Sequence, residues 1–460
     1  MKSTISCYFI TLALSLVLEI IGKTFGILHA EGLFLYVQKN KKEKNMKNWM
    51  PIIITVAATI PGFMLRVLGT ELHPVIMTLI TAVAIFSASF ILTWACEVMQ
   101  LDIPQAVAIA LVALIAVLPE YAVDMYFTWM AGQYPQGEYV HYAVANMTGA
   151  NRLLIGVGWS VIILIFALKF RKKVVLESTH KTELFFLMLA TIYAITIPLK
   201  GTLNLFDTVV LISIFIWYIT IIIRKPVEEE EIKGPAKTIA ALPKQKRLIV
   251  TWGLFLVAAV VIFADAELFS ESLVASGKLL GVNEFLLVQW LAPIASEAPE
   301  FIVAITFALR GSAGLALGSL VSSKLNQWTL LVGMIPLIYS ISYSTADHPH
   351  DTGFLSTVMP LAAMQMHELL LTAAQSAFAI ALIAGLVAGK REAFALLTLF
   401  MLQFLSPFYD KMLPAYIPNA TPHDTVLITF SIIYIVFTII LVIMHPKRFI
   451  SIIKGYKTGL

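Results

Sequence analysis

Apolar runs of membrane length recur along the chain, parted by short polar breaks. A helix crosses a bilayer with about 20 apolar residues. On that measure the pattern predicts spans at 51–69, 75–99, 104–129, 140–168, 183–199, 203–223, 248–268, 284–309, 313–340, 366–389, 392–410 and 425–445. A further apolar run at 5–22, followed by Lys23 and the basic stretch Lys39 to Lys47, reads as an anchor helix. An uncleaved signal, or a true start near Met46, are its alternatives. Segments 1–48, 49–223, 224–247 and 248–460 are then an N-terminal anchor with its basic segment, a first transmembrane half, a cytoplasmic linker and a second half.

Two stretches break the apolar rule in the same way. Residues 292–336 hold two apolar runs joined by the turn Arg310-Gly311-Ser312, yet the first carries Glu297 and Glu300. The second carries Ser319, Ser322, Ser323, Lys324, Asn326 and Gln327. A charge at membrane depth costs at least ~2.5–3.5 kcal/mol and persists where it lines a cavity or does a job. Residues 113–159 repeat the design: Pro119-Glu120 matches Pro299-Glu300 at an offset of 180, and Asn146, Gly149 and Asn151 match Ser319, Ser322 and Lys324 at an offset of 173. Paired repeats with interrupted apolar helices point to a transporter binding site.

Composition agrees and narrows the class. With 59% hydrophobic residues, 13% charged residues and a mean hydropathy of +0.86, the chain belongs in a bilayer. The net charge of +4 is scattered through short loops, which argues against a nucleic-acid partner. Cys7 and Cys96, both in apolar runs, give no disulfide framework. No phosphate-cradling G-x-x-x-x-G-K-[ST] motif is present, so the chain has no ATP drive of its own.

Loop charge sets the topology. Basic clusters fall at 39–47, 169–173, 224–247, 390–391 and 447–457, while 130–139 and 341–365 hold no Lys or Arg. Alternating the spans puts every basic cluster in the cytoplasm. The turn of the first repeat is then outside and that of the second inside, so the two repeats run through the membrane in opposite senses. Halves 75–223 and 248–410 form the two repeats, with 51–69 and 425–445 as flanking helices. The expected fold is all-α and polytopic, with discontinuous helices at the midplane.

Pro119 and Pro299 lack the amide that a helix interior uses, freeing the carbonyls of Ile115 and Ala295 beside a carboxylate. Hard oxygens of this kind suit Na+ or Ca2+. Asp124 follows Glu120 by four residues and Glu297 precedes Glu300 by three, so each repeat supplies two acids on one helix face. Four bare carboxylates repel one another and need metal ions, protons or fixed cations. Lys324 and Arg152 are the fixed cations at hand, and Glu120, Asp124 or Glu297 is the expected partner of Lys324. Gly149 and Gly318 are expected to allow close helix approach. Glu228 to Glu231 read as a solvated linker, Asp347-His348-Pro349-His350-Asp351 as an external turn, and His367-Glu368 as a helix-end pair.

The pattern P-E, apolar helix, R-G, then G-[NS]-x-x-[GS]-S-[NK] resembles the alpha repeats of the calcium/cation antiporter superfamily, which includes the sodium/calcium exchangers. Pro299, Glu300, Arg310, Gly311, Gly318 and Ser323 carry it in the second repeat. The resemblance implies two five-helix inverted repeats and a secondary antiporter, not an enzyme, with no tightly bound cofactor. Its cation site would be lined by Glu120, Asp124, Asn146, Asn151, Ser296, Glu297, Glu300, Ser319, Ser323 and Lys324, with Glu120 and Glu300 as the metal ligands. The chain departs from the family at Lys324, where asparagine is usual, and at Ala116, Val117 and Glu297, where hydroxyls are usual. Fewer neutral oxygens and one ammonium imply fewer ion sites. The expected activity is exchange of Ca2+ or a related cation for Na+ or H+, at the plasma membrane, with the bilayer and inorganic cations as partners. A Na+/H+ antiporter in which Lys324 and a carboxylate carry the proton is the alternative. A Ser323-Lys324 intramembrane enzyme fails because neighbouring residues do not share a helix face, and mid-span acids argue against a non-transporting scaffold.

Overall fold

A computed structural model of the chain describes residues 35–103, 117–224, 232, 234–346, 353–410 and 421–457, with side chains from residue 48 onward. The elements in order are α1 (Leu35–Leu68), α2 (Pro74–Met99), α3 (Leu118–Gln133), α4 (Tyr139–Leu153) and α5 (Ser160–Lys169). After them come β1 (Val174–Val175), α6 (Lys181–Lys200), β2 (Thr202–Asn204), α7 (Leu205–Ile222), α8 (Pro235–Ala240) and α9 (Lys244–Leu280). The last are α10 (Glu284–Leu309), α11 (Ala313–Asn326), α12 (Val332–Thr345), β3 (Val358–Pro360), α13 (Ala363–Ile383), β4 (Val387–Ala388), α14 (Lys390–Phe404), α15 (Pro422–Met444) and α16 (Pro446–Gly455).

Among the described residues, 10 helices are long and apolar enough to cross a membrane, and they fall on ten of the twelve expected spans. The span at 104–129 is described only from residue 117. The anchor at 5–22, Ile115, Ala116, and the runs Glu228 to Glu231 and Asp347 to Asp351 lie outside the described residues. Two expected spans end early. The span at 366–389 stops at Ile383, because the chain turns through Leu386 (φ 57°) and pairs Val387 with Val175 and Ala388 with Val174. The span at 392–410 stops at Phe404, just ahead of Ser406-Pro407, where proline bars the preceding residue from the helix. The linker holds a short helix, α8, opened by Pro235 at a position where its missing amide costs nothing.

In the second repeat the helix is not broken at its prolines. α10 runs unbroken from Glu284 to Leu309 through Pro293 and Pro299. Each proline removes one ladder bond and the packed helix absorbs it. Pro119 stands second in α3, where a proline amide has no ladder partner to lose. The irregular turns sit on the facing helices instead, as π-helical segments at Leu154–Trp159 and Gln327–Leu331. Their first residues, 154 and 327, stand 173 apart, the offset that relates Asn151 to Lys324. A π-turn inside a transmembrane helix frequently marks a functional site.

The chain divides into two compact units that cut across the two sequence halves: residues 1–122 with 227–276, and 123–226 with 277–460. In the first, α1 packs along α2 and α8 lies against both. Thr78 Oγ1 on α2 meets Ser272 Oγ (3.1 Å) and Ser276 Oγ (3.0 Å) on α9. At the end of this bundle Arg247 grips Asp102 with two hydrogen bonds, Nε to Oδ2 at 2.7 Å and Nη2 to Oδ1 at 2.6 Å. That contact holds the Asp102 carboxyl below the usual aspartate range.

In the second unit α10 packs on α4, α13 packs on α4, α6 and α15, and α12 packs on α7. Two short antiparallel pairings, β1 with β4 and β2 with β3, tie loops together at the ends of these helices. Helix starts are set by side-chain caps. Asn204 and Asp207 form a capping box at α7, and Asn283 Oδ1 accepts from the Phe285 amide (2.9 Å) at α10.

Candidate functional site

α10 and α11 fold back on each other around the turn at 310–312. That hairpin sets Glu297 across from Gln327, and Glu300 across from Ser323. Glu297 is 2% exposed, and its Oε1 accepts from Gln327 Nε2 at 2.8 Å. Its Oε2 is buried with no hydrogen-bond partner among the described residues. Glu300, one turn on and half-buried, accepts at Oε2 from Ser323 Oγ at 2.8 Å. The first repeat does the same across its longer turn. Asp124 is fully buried and accepts from Asn146 Nδ2 at 2.6 Å, while Asp124 Oδ2 and Asn146 Oδ1 have no hydrogen-bond partner among the described residues.

Glu297 lies in the electrostatic field of Glu300, Lys324 and Asp124. Three of the four expected acids and the expected cation thus converge inside the second unit. Glu120 is also buried, at 2% exposure, near the start of α3 and one helical turn before Asp124. It belongs to the first unit by packing, Glu300 to the second.

Lys324 is fully buried. Its Nζ donates to Asn151 Oδ1 (2.6 Å) and to the Asn151 carbonyl (3.4 Å), and lies 4.3 Å from the ring centre of Trp328. Ring and carbonyl oxygens share the ammonium charge. Asn151 Nδ2 in turn donates to the Met147 carbonyl at 2.8 Å. Two of the three expected hydroxyls, Ser296 and Ser319, are turned toward their own helices. Ser296 Oγ donates to the carbonyls of Ala292 (3.2 Å) and Pro293 (3.3 Å), and the exposed Ser319 donates to Ala316 (3.0 Å).

Arg152 does not serve the site carboxylates as expected. Its guanidinium pairs with Glu368 on α13 and stacks 5.0 Å from the Trp290 ring. Glu368 is 1% exposed, with Gln289 beside it and His423 Nε2 at 3.7 Å. His367 pairs separately with Asp424 at 2.8 Å, so His367 and Glu368 have different partners rather than forming the helix-end pair expected of them. Gly149 allows the close approach expected of it: a Cβ there would stand 1.8 Å from the Gln289 carbonyl oxygen, the one that Pro293 leaves without a ladder donor. Gly318 makes room for a side chain rather than a helix; a Cβ there would meet the His180 ring at 2.3 Å.

Gln327, Gln289 and Glu368 were not among the expected site residues. The register of the α10–α11 hairpin was the available signal for Gln327, since folding the chain about residue 312 sets it opposite Glu297. Among the described residues no three His, Cys, Asp or Glu side chains are grouped so as to hold a metal ion by themselves.

Three comparisons bear on this arrangement. A family profile described as sodium/calcium exchanger protein matches residues 72–224 and 250–409. The crystal structure of an H+/Ca2+ exchanger, CAX, superposes with a TM-score of 0.81 at 40% identity, covering 90% of this chain and 98% of that one. The structure of native YfkE, at 16% identity and a TM-score of 0.54 over 77% of this chain and 98% of its own, shares the fold. The sodium/calcium exchanger MaX1 of Methanosarcina acetivorans is 29% identical over 85 residues, which is 18% of this chain and 24% of that protein.

Proposed function

The chain is a multi-pass integral membrane protein of the sodium/calcium exchanger protein family, and we propose that it is a secondary antiporter that trades Ca2+ against H+ by alternating access at the plasma membrane. One observation carries the reading. Asp124 and Glu297 are sealed from solvent, each held at one oxygen by a neutral amide, each with its other oxygen open. A neutral amide orients a carboxylate without cancelling its charge. Such a group needs a proton or a cation, and exchanging the two is the transport step.

Ca2+ takes 6–8 oxygens at about 2.3–2.6 Å. Carboxylates of Glu297, Glu300 and Asp124, all in the second unit, supply that number with the help of Asn146 and Ser323. Glu300 is the central ligand of this set. Asn151, Ser296, Ser319 and Lys324 border the site. The choice of H+ over Na+ rests on two supports. The relative that is 40% identical is an H+/Ca2+ exchanger. The Lys324 ammonium also takes the Asn151 oxygen that a second ion would need. When Ca2+ draws the carboxylates away, Lys324 loses the charge that keeps it protonated and releases its proton.

The test is uptake of Ca2+ into proteoliposomes under separately imposed gradients. An outward H+ gradient drives uptake with no Na+ present. Uptake that requires Na+ and ignores the pH gradient overturns the coupling while leaving the family intact.

A further inference from the structure

α9 carries a second ionisable group that the exchange site does not use. Asp265 lies in the middle of this span, on the stripe that buries Ala258, Ile262, Phe269, Ser272 and Ser276 against the first unit. It is fully buried, and neither carboxyl oxygen has a hydrogen-bond partner among the described residues. The carboxyl is seated against the backbone of α1. A Cβ placed on Gly62 would stand 2.4 Å from Asp265 Oδ2 and 2.6 Å from Ala84 Cβ on α2, so three helices close on this point.

The charged groups within two helical turns of this level are few. α1 offers Arg66, one turn beyond Gly62; α9 offers Glu267 and Glu271; α2 offers none near Ala84. Arg66 pairs with Glu267, both of them about 40% exposed, and its charge reaches Asp265. The first unit therefore holds one guanidinium between two carboxylates, an outer one that it grips and an inner one that it does not.

A metal ion does not suit the inner position. It offers one carboxylate among a glycine backbone and a methyl group, against the six or more oxygens that Ca2+ takes, with a guanidinium nearby. A bare carboxylate does not suit it either, since nothing there replaces the hydration it lost. A proton suits it, because the carboxyl is then neutral. We propose that Asp265 is a proton-binding site of the α1–α2–α9 bundle, separate from the exchange site, and that loss of its proton draws Arg66 from Glu267 to Asp265. Asp265 precedes Glu267 by two residues on α9, so the swap moves the Arg66 guanidinium by about 3 Å along that helix. The bundle then has two packed states chosen by pH. The proposal stands whichever ion the exchange site couples to Ca2+.

Infrared difference spectra of the purified full chain across a pH jump read the proton directly. The wild type gives the carbonyl band of a protonated carboxyl that disappears on alkalinisation. Asp265→Asn lacks that component, whereas Glu297→Gln and Glu300→Gln keep it. Arg66 is a surface group, so Arg66→Gln folds and serves as the second probe. Without the cation the band persists to higher pH by at least ~1 unit, the low end of the effect of a neighbouring opposite charge. An Asp265→Asn spectrum that superimposes on the wild type overturns the proton site. A band that titrates at the same pH in Arg66→Gln overturns the partner swap.

Discussion

Glu297 and Glu368 are both carboxylates sealed inside the second unit, 2% and 1% exposed, and they are held in opposite ways. Glu368 faces the Arg152 guanidinium, with His423 at its other oxygen. Its charge is met by a fixed cation, and the Trp290 ring covers the pair. Glu297 faces an amide, leaves one oxygen open, and shares its surroundings with two more acids and one lysine. A fixed counter-ion makes a carboxylate part of the frame. A neutral partner makes it a place where ions come and go. On the proposed function, the contrast between these two regions separates structural acids from working acids.

The comparison breaks most readily at the working acids. Glu300→Gln and Glu297→Gln keep volume and shape, so each variant folds and loses Ca2+ exchange by at least ~100-fold, beyond the ~10–100-fold that losing a supporting partner of a metal site costs. Uptake into proteoliposomes, normalised to folded protein, measures this. Retained exchange in Glu300→Gln would move that residue into the structural class. Glu368→Gln does the reverse. It leaves Arg152 buried and unpaired and costs about 3–5 kcal/mol of stability. Thermal unfolding shows the loss, and the double change Arg152→Met with Glu368→Leu recovers most of it.

A smaller effect sharpens the role of the lysine. Lys324→Asn removes the one titratable cation seen beside the working acids and returns an amide to the position. Exchange persists and its pH dependence flattens, as Ca2+ uptake measured across a series of internal and external pH values records. Identical pH profiles for variant and wild type would leave Lys324 a static counter-ion, placing it with Arg152. The smallest effect is at the Asp102–Arg247 pair in the first unit. The Asp102 carboxyl titrates below its unfolded value, so its contribution is complete above the unfolded value and is lost as the pH falls through the folded one. Asp102→Asn therefore lowers the unfolding temperature at pH 7, and the gap to wild type closes below about pH 3.9, the ordinary aspartate value.

Hydropathy and the offset of 173 residues carried most of the fold, because each span repeats a local signal and the two copies check each other. The ends of α13 and α14 escaped, since one is set by pairing with β1 and the other by Pro407 after an apolar run that continues. The prolines misled for a physical reason. A proline removes one donor, and α10 keeps its course because its neighbours are packed. The irregular turns are π-helical segments on other helices. Glu297, Glu300, Asp124 and Lys324 were legible as charges at membrane depth. That Arg152 serves Glu368 was not, because two distant helices meet there and no local spacing encodes the contact. Gln327 stood in the polar block after Lys324, and only the hairpin register gives it a partner.

Proton release on Ca2+ binding tests the central claim most directly. Titration calorimetry of the purified protein with Ca2+, in two buffers of different ionisation enthalpy at pH 7, counts the protons that leave as the ion enters. The account predicts net release in the wild type and less of it in Glu297→Gln. Calcium binding with no proton release in the wild type would contradict it.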